Sequence, residues 1–349
     1  MRRFQRRPPR ARLAPPELMA LQLRQPHDAL FRAMLADPQR ADSILRAHLD
    51  PQLMRMLADE LPQPLDGSFV DESLRASCSD KLLRVRLRGG KPGFLYVLVE
   101  HKSWPDRGTA LQVCEYKVRI RRQDAGGSVR ALRDLPAIVP LVFYHGRAPW
   151  SAPRSIAAML GSTDPFLQGL EPNFGYFLRN LNELPEEELA DDPGAWAGLM
   201  LLRYSHRGPA AMEQKLALLP RILVALPDGS LYQRQGVVYV MNVWHVPQAV
   251  LSAAAEEALP GRGERMVGHV VQELLDQGAL QGRAEGRAEG LTEGRAEDLT
   301  WLLEHRFGAL PAEVRSRIAD ASSGELQTWF KVALDAPSLG TVFNGSSLG

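Results

Sequence analysis

The stretch Ser79-Asp80-Lys81-Leu82-Leu83-Arg84-Val85-Arg86-Leu87-Arg88-Gly89-Gly90-Lys91-Pro92-Gly93-Phe94-Leu95-Tyr96-Val97-Leu98-Val99-Glu100-His101-Lys102-Ser103 carries the reading of the chain. Two apolar runs containing β-branched residues, Leu82 to Leu87 and Phe94 to Val99, flank a turn-forming segment, Arg88 to Gly93. This predicts a β-hairpin. Opposed residues in an antiparallel hairpin have numbers that sum to a constant, so a turn centred near Gly90 or Lys91 sets Asp80 opposite, or within two residues of, Glu100. Side chains alternate along a strand, so Glu100 and Lys102 share a face and His101 takes the other. Two carboxylates and an ammonium then converge at the end of the hairpin. Two hard oxygen ligands suit Mg²⁺, with Mn²⁺ as a substitute, and a nearby lysine positions water or stabilises phosphorane charge. Glu100 directly ends an apolar run, and a buried carboxylate is costly unless it meets a metal or a cation.

Working outward, His27 to Leu61 is expected to be helical, broken at Pro38 and Pro51. Asp28 stands near its start, where an N-cap and a site-facing acidic ligand are both open readings. A helix is expected from near Asp106 through Ile120, placing Gln112, Glu115 and Tyr116 near one face. That face either reaches substrate phosphate or is a solvated or core-edge surface. The run Leu135 to Arg147 predicts a buried central strand, which with the preceding helix makes a β-α-β crossover. A further strand is expected within Phe174 to Leu181, residues 187 to 225 read as mainly helical, and the apolar run at 236–245 reads as strand or buried helix. The fold class is therefore α/β, a mixed sheet flanked by helices. His101 and His145 invite a histidine–metal reading, but His145 stands in a Tyr-His-Gly turn, where turn hydrogen bonding is the simpler expectation.

Composition narrows the classes of function. The chain has 349 residues, 45% hydrophobic and 24% charged, as in ordinary globular proteins. No uninterrupted apolar run is long enough for a membrane helix, and the basic N-terminus lacks the apolar core of a secretory signal. Cys78 and Cys114 form no Cys-x-x-Cys pair, so structural zinc is not expected and a cytoplasmic location is. Net charge is only +1, yet arginines crowd the first twelve residues, and Arg119, Arg121 and Arg122 cluster beyond the hairpin. Such local basic patches suit backbone phosphate of DNA. P-loop, Gly-x-Ser-x-Gly and His-Glu-x-x-His patterns are absent. The segment Gln281 to Glu297 repeats glycine every four residues, at 282, 286, 290 and 294. It is read as a polar tether or frayed helix in preference to a Gly-x-x-x-Gly helix pair that would join copies of the chain. The expected organisation is a basic arm at 1–25, the main domain at 26–250, a helix and repeat linker at 251–298, and a small helical unit at 299–349.

The ordered strings His27-Asp28-x-x-Phe31, Cys78-Ser79-Asp80-Lys81-Leu82-Leu83, Leu95 to Ser103 and Ile138 to Gly146, with Trp150, resemble the Rpn/YhgA-like family. Its members are known as recombination-promoting nucleases and as YhgA-like transposases, within the PD-(D/E)XK nuclease superfamily. The resemblance spans about residues 26 to 250. It implies a restriction-endonuclease-like core, with Asp80 and Glu100 as the metal-binding pair, Lys102 as the last motif residue and Asp28 as an auxiliary acid. It also implies a metal-dependent endonuclease acting on DNA, linked to recombination. Lys102 departs from the glutamine usual in the family and restores the lysine of the superfamily; Ser79 replaces the superfamily's proline. The repeat followed by Leu299 to Phe343, with Arg306-Phe307-Gly308 and Leu326-x-x-Trp329, resembles a small C-terminal domain often appended to such proteins.

Overall fold

A computed structural model describes residues 25–65, 81–88, 94–124, 137–160, 164–166 and 174–343. Its centre is a five-stranded mixed sheet in the order β1-β2-β3-β4-β5. The strands are β1 (Gln63–Leu65), β2 (Lys81–Arg86), β3 (Phe94–Lys102), β4 (Ala137–Tyr144) and β5 (Phe177–Asn180). β1, β2 and β3 pair antiparallel, whereas β3, β4 and β5 pair parallel. The crossover from β3 to β4 contains the helix Thr109–Asp124, which begins three residues after Asp106. β4 is buried on both faces except at its first residue, as befits a central parallel strand.

Three short helices precede the sheet: α1 (Pro26–Met34), α2 (Pro38–His48) and α3 (Pro51–Met56). Each has a proline in its first turn, where the missing N–H costs nothing, and Asp37 and Asp50 cap the second and third. The crossover helix is α4, followed by α5 (Ile156–Leu160), α6 (Pro193–Arg203), α7 (Met212–Ala225), α8 (Leu231–Asn242) and α9 (Gln248–Ala258). The ambiguous apolar run at 236–245 is therefore mostly the buried helix α8.

The two faces of β3 and β4 meet different helices. Even-numbered residues look toward α4: Leu82 and Ile138 pack with Tyr116 and Ile120, and Val142 packs with Ala110 and Val113. Odd-numbered residues look the other way, where Phe31 of α1 meets His101 and Phe143, and His48 of α2 meets Phe143. Period-two alternation thus assigns Glu100 and Lys102 to the α4 side and His101 to the α1 side.

The described chain falls into two compact units divided between Gln272 and Glu273. The division lies within one helix, α10 (Gly263–Phe307), followed by α11 (Ala312–Ala319), α12 (Ser323–Asp335) and α13 (Leu339–Phe343). The second unit has its own core of Leu299, Leu303, Ile318, Leu326, Trp329 and Phe343. The glycine repeat is helical throughout, and a Cβ at any of its four glycines would meet nothing within 4 Å. Four helical glycines cost about 1 kcal/mol each relative to alanine. Burial of Val267, Val270 and Leu274 before the repeat, and of Leu299 and Leu303 after it, holds the helix through them. Gly308, at φ +84, ends α10 in the left-handed region and donates its N–H to the Glu304 carbonyl at 3.0 Å. Among the described residues, no helix is long and apolar enough to cross a membrane.

Candidate active site

Glu100 is 3% exposed at the carboxyl end of β3. Lys102, two residues on and on the same face, places Nζ 2.9 Å from Glu100 Oε1. The same ammonium donates to Gln112 Oε1 at 2.7 Å and lies 3.5 Å from Asp106 Oδ2. Gln112 Nε2 in turn donates to the Tyr116 hydroxyl one helical turn along α4. Asp106 is fixed by accepting the Gly108 N–H at 2.8 Å, and its carbonyl receives the Thr109 hydroxyl at 2.7 Å. The start of α4 and the end of β3 are thereby locked around Lys102. Glu100 Oε2 is buried without a hydrogen-bond partner among the described residues. Burial pushes the Glu100 carboxyl above its ordinary range, against the opposing pull of Lys102.

The hairpin register is that expected from the sequence at every described pair. From Arg86↔Phe94 to Lys81↔Val99 the partner numbers sum to 180, the sum of 80 and 100. Asp80 itself, like the turn residues Gly89 to Gly93, lies outside the described residues.

Asp28 is not a helix cap: Gln25 occupies the N-cap of α1, and Asp28 stands in the first turn with its carboxylate turned into the fold. It receives His101 Nε2–H at 2.7 Å. This places Asp28 with the side chain that leaves β3 away from Glu100. His145, expected to serve a turn, is instead buried, with Nδ1 3.1 Å from Ser205 Oγ and Nε2 3.4 Å from His101 Nδ1. A carboxylate oxygen accepts, so His101 Nε2–H donates to Asp28, and the contacts continue from His101 Nδ1 through His145 to Ser205. His27 joins this group through the Tyr239 hydroxyl at 2.8 Å, and the His206 ring stacks on His145 at 5.5 Å. Burial lowers the pKa of His27 to about 4 and that of His145 well below the usual histidine value. Among the described residues, no three His, Cys, Asp or Glu side chains are arranged to hold a metal. Sequence reading missed this cluster, because its four histidines come from segments far apart in the chain.

Arg119, Arg121 and Arg122 lie near the end of α4, with Arg119 and Arg122 exposed. Arg119 follows Gln112 by seven residues, about 10 Å along a helix. Arg121 and Arg122, in the last turn, also complement the helix dipole, which favours cations at a C-terminus.

The residues at the end of β3 fit a divalent cation. An unpartnered carboxylate oxygen in a buried position, with its charge disfavoured by desolvation, is the donor that such an ion would complete.

The profile of the family described as "Putative transposase, YhgA-like" matches residues 25–226, more than half of the chain. The chain belongs to this family, and its α/β architecture agrees with a PD-(D/E)XK-like core followed by a helical C-terminal unit. It is 35% identical over 166 residues to recombination-promoting nuclease RpnD of Escherichia coli O157:H7, covering 47% of this chain and 62% of that protein. It is 34% identical over 168 residues to recombination-promoting nuclease RpnA of E. coli strain K12, covering 47% and 54%. A third relative, 32% identical over 168 residues and covering 47% and 53%, is named the inactive recombination-promoting nuclease-like protein RpnE of the same strain. The chain thus spans little more than half the length of these curated relatives. No solved structure matches it.

Proposed function

We propose that the chain is a Mg²⁺-dependent DNA endonuclease, with Glu100 and Asp80 as metal ligands and Lys102 as the residue that handles the attacking water. The observation that carries this reading is the buried Glu100 carboxylate, with one oxygen on Lys102 and the other without a partner. Bound there, Mg²⁺ or Mn²⁺ would supply Lewis-acid charge to the phosphate and lower the pKa of a ligated water.

The protein's own groups do the rest. Among the described residues, the Lys102 ammonium reaches Glu100, Gln112 and Asp106. Of these the Asp106 contact is the longest, and its side chain is 36% exposed against 4% for Glu100. A water entering from solvent therefore exchanges most readily at that position, leaving Lys102 anchored by Glu100 and Gln112. Held in line with the P–O3′ bond, the water oxygen bonds to phosphorus as that bond breaks. Lys102 offsets the charge on the phosphoryl oxygens. The water's proton passes to solvent and the departing 3′-oxygen takes one up. Gln112 and Tyr116 keep the lysine aimed, while Arg119, Arg121 and Arg122 contact backbone phosphate without reading bases.

The test is nicking of supercoiled DNA with Mg²⁺ or EDTA. Asp80→Asn and Glu100→Gln should each abolish metal-dependent cleavage while retaining the fold; cleavage by both at the wild-type rate refutes the assignment. A second reading, DNA binding or assembly without catalysis on the same fold, draws support from the relative named inactive. Salt-sensitive DNA binding with no metal-dependent cleavage would favour it. The open glycine face of α10 suggests self-association as part of either reading.

A further inference from the structure

A cavity of about 320 Å³ opens beyond the carboxyl ends of β4 and β5, lined by Arg147, Arg203, Arg207, His206 and Asn182, among others. Adjacent parallel strands commonly present ligand sites at this end, and the volume is at the lower end of the range for ligand pockets. β4 arrives here directly from the active site. Tyr144 is the register partner of Lys102, and the next N–H, of His145, donates to the Lys102 carbonyl at 3.0 Å. The chain then turns at Gly146, where a Cβ would come within 2.2 Å of the Ser103 carbonyl oxygen. The Gly146 carbonyl receives Asn182 Nδ2–H at 2.9 Å, which ties the β4 turn to the segment after β5.

The lining is basic. Among the described residues, none of the three guanidiniums is paired with a carboxylate. Arg203 donates to the Leu184 carbonyl at 3.1 Å and Arg207 reaches Gln214 at 3.5 Å, while Arg147 extends from the exposed turn. Glu183, the one carboxylate in the lining among the described residues, is held by Asn180 Nδ2 at 2.7 Å. Among the described residues, two lining side chains also carry buried nitrogens without partners, Arg203 Nε and His206 Nε2. The unsatisfied Arg203 Nε–H, beside guanidiniums without carboxylate partners among the described residues, calls for an anion with several acceptor oxygens. Arginine forks match phosphate in shape as well as charge.

We propose that this cavity is a phosphate-binding site, and that its ligand is a backbone phosphate of the nucleic-acid strand whose scissile bond lies at Glu100. The choice of a strand rests on the nuclease reading; the phosphate chemistry does not. Three arginines against one glutamate give the pocket the sign and charge for a strand running past the end of the sheet. Its contacts are to phosphate, so they position the strand without selecting bases.

The test uses the full chain in EDTA, so that binding is measured without cleavage. The R147Q/R207Q double variant removes two guanidiniums from the rim and leaves Glu100, Lys102 and the sheet intact. A labelled short oligonucleotide, single-stranded or duplex, should bind the double variant about tenfold more weakly than wild type. The slope of log affinity against log salt should fall by about one to two. Inorganic phosphate and dAMP serve as competitors and as direct ligands by calorimetry. If they bind wild type but not R147Q/R207Q, while oligonucleotide binding is equal in the two proteins, the phosphate site stands and the strand assignment is overturned. Equal binding of every probe by both proteins overturns the site itself. Loss of binding in R147Q/R207Q, together with absence of Mg²⁺-dependent cleavage by wild type, removes the nuclease reading and leaves the pocket.

Discussion

Acid should destabilise this protein through its buried histidines, and His48 permits the magnitude to be worked out. Its side chain closes α2, is 1% exposed, and packs edge-on against Phe143 at 4.9 Å. Nε2–H donates to the Leu189 carbonyl at 2.7 Å. Burial is the main cause that lowers its pKa from 6.5 to about 4, and the nearby Arg179 guanidinium adds to the effect. In the unfolded chain the ring takes up a proton as pH falls through about 6.5, while in the folded chain it stays neutral until about 4. The unfolded state therefore binds more protons across that window, and stability is full above it and lost as pH falls. At pH 5 the loss is about 2 kcal/mol for this residue, from about 1.4 kcal/mol per unit of pKa difference. For a unit of roughly 250 residues this corresponds to a fall in Tm of about 4 to 8 °C. Glu100 acts in the opposite sense, because its raised pKa makes the folded state take up a proton more readily. The useful quantity is therefore the difference between wild type and His48→Gln, in which the glutamine amide keeps a donor for Leu189. Melting curves at neutral pH and at pH 5 should show a drop smaller by those few degrees in the variant. An equal drop in the two proteins would refute the assignment of a neutral, desolvated imidazole to His48.

Other perturbations address the active site and α10. Lys102→Met should remove nicking and leave Glu100 buried without its cation, a loss of about 3 to 5 kcal/mol near neutral pH that lessens on acidification, read by urea denaturation at two pH values. Mg²⁺ should raise Tm in wild type but not in Glu100→Gln; saturation at a hundred times Kd corresponds to about 2.7 kcal/mol by mass action. Gly146→Ala should lower both Tm and nicking, because its Cβ would force the Ser103 carbonyl away from a 2.2 Å approach. Alanine at Gly282, Gly286, Gly290 and Gly294 should raise the helicity of α10, by about 1 kcal/mol per site. If light scattering shows a dimer in wild type that the alanine variant loses, the glycine face is the contact between copies.

Legibility followed the range over which each feature is encoded. Alternation within β3 was enough to separate Glu100 and Lys102 from His101, because a strand states its two faces locally. The crossover helix and central strand were readable from their lengths and apolar runs. β1 was missed: Gln63-Pro64-Leu65 is too short to show a period, and its proline argues against a strand away from an edge. The run within α8 was ambiguous because a continuous apolar stretch serves a buried helix as well as a buried strand. Asp28 was placed by family likeness among the acids of the site, yet its geometry depends on α1 lying across the odd face of β3, which no local pattern encodes. The basic cavity was illegible for the same reason, since Arg147 follows β4 whereas Arg203 and Arg207 belong to the end of α6 and its following turn.

These two outcomes bear on how the string Glu100-His101-Lys102 works. Successive residues enter different layers, so the carboxylate and ammonium are coupled to α4 through Gln112 and Asp106. The imidazole between them is coupled to α1 through Asp28 and to β4 through His145. The backbone that positions Glu100 and Lys102 is thus clamped from both sides of the sheet, by a partly buried lysine network on one face and a buried histidine network on the other. A charge change at Asp28 would be expected to act through the placement of β3, because its partner points away from Glu100. Asp28→Asn should therefore weaken cleavage while leaving metal-induced stabilisation in place, whereas Glu100→Gln should remove both.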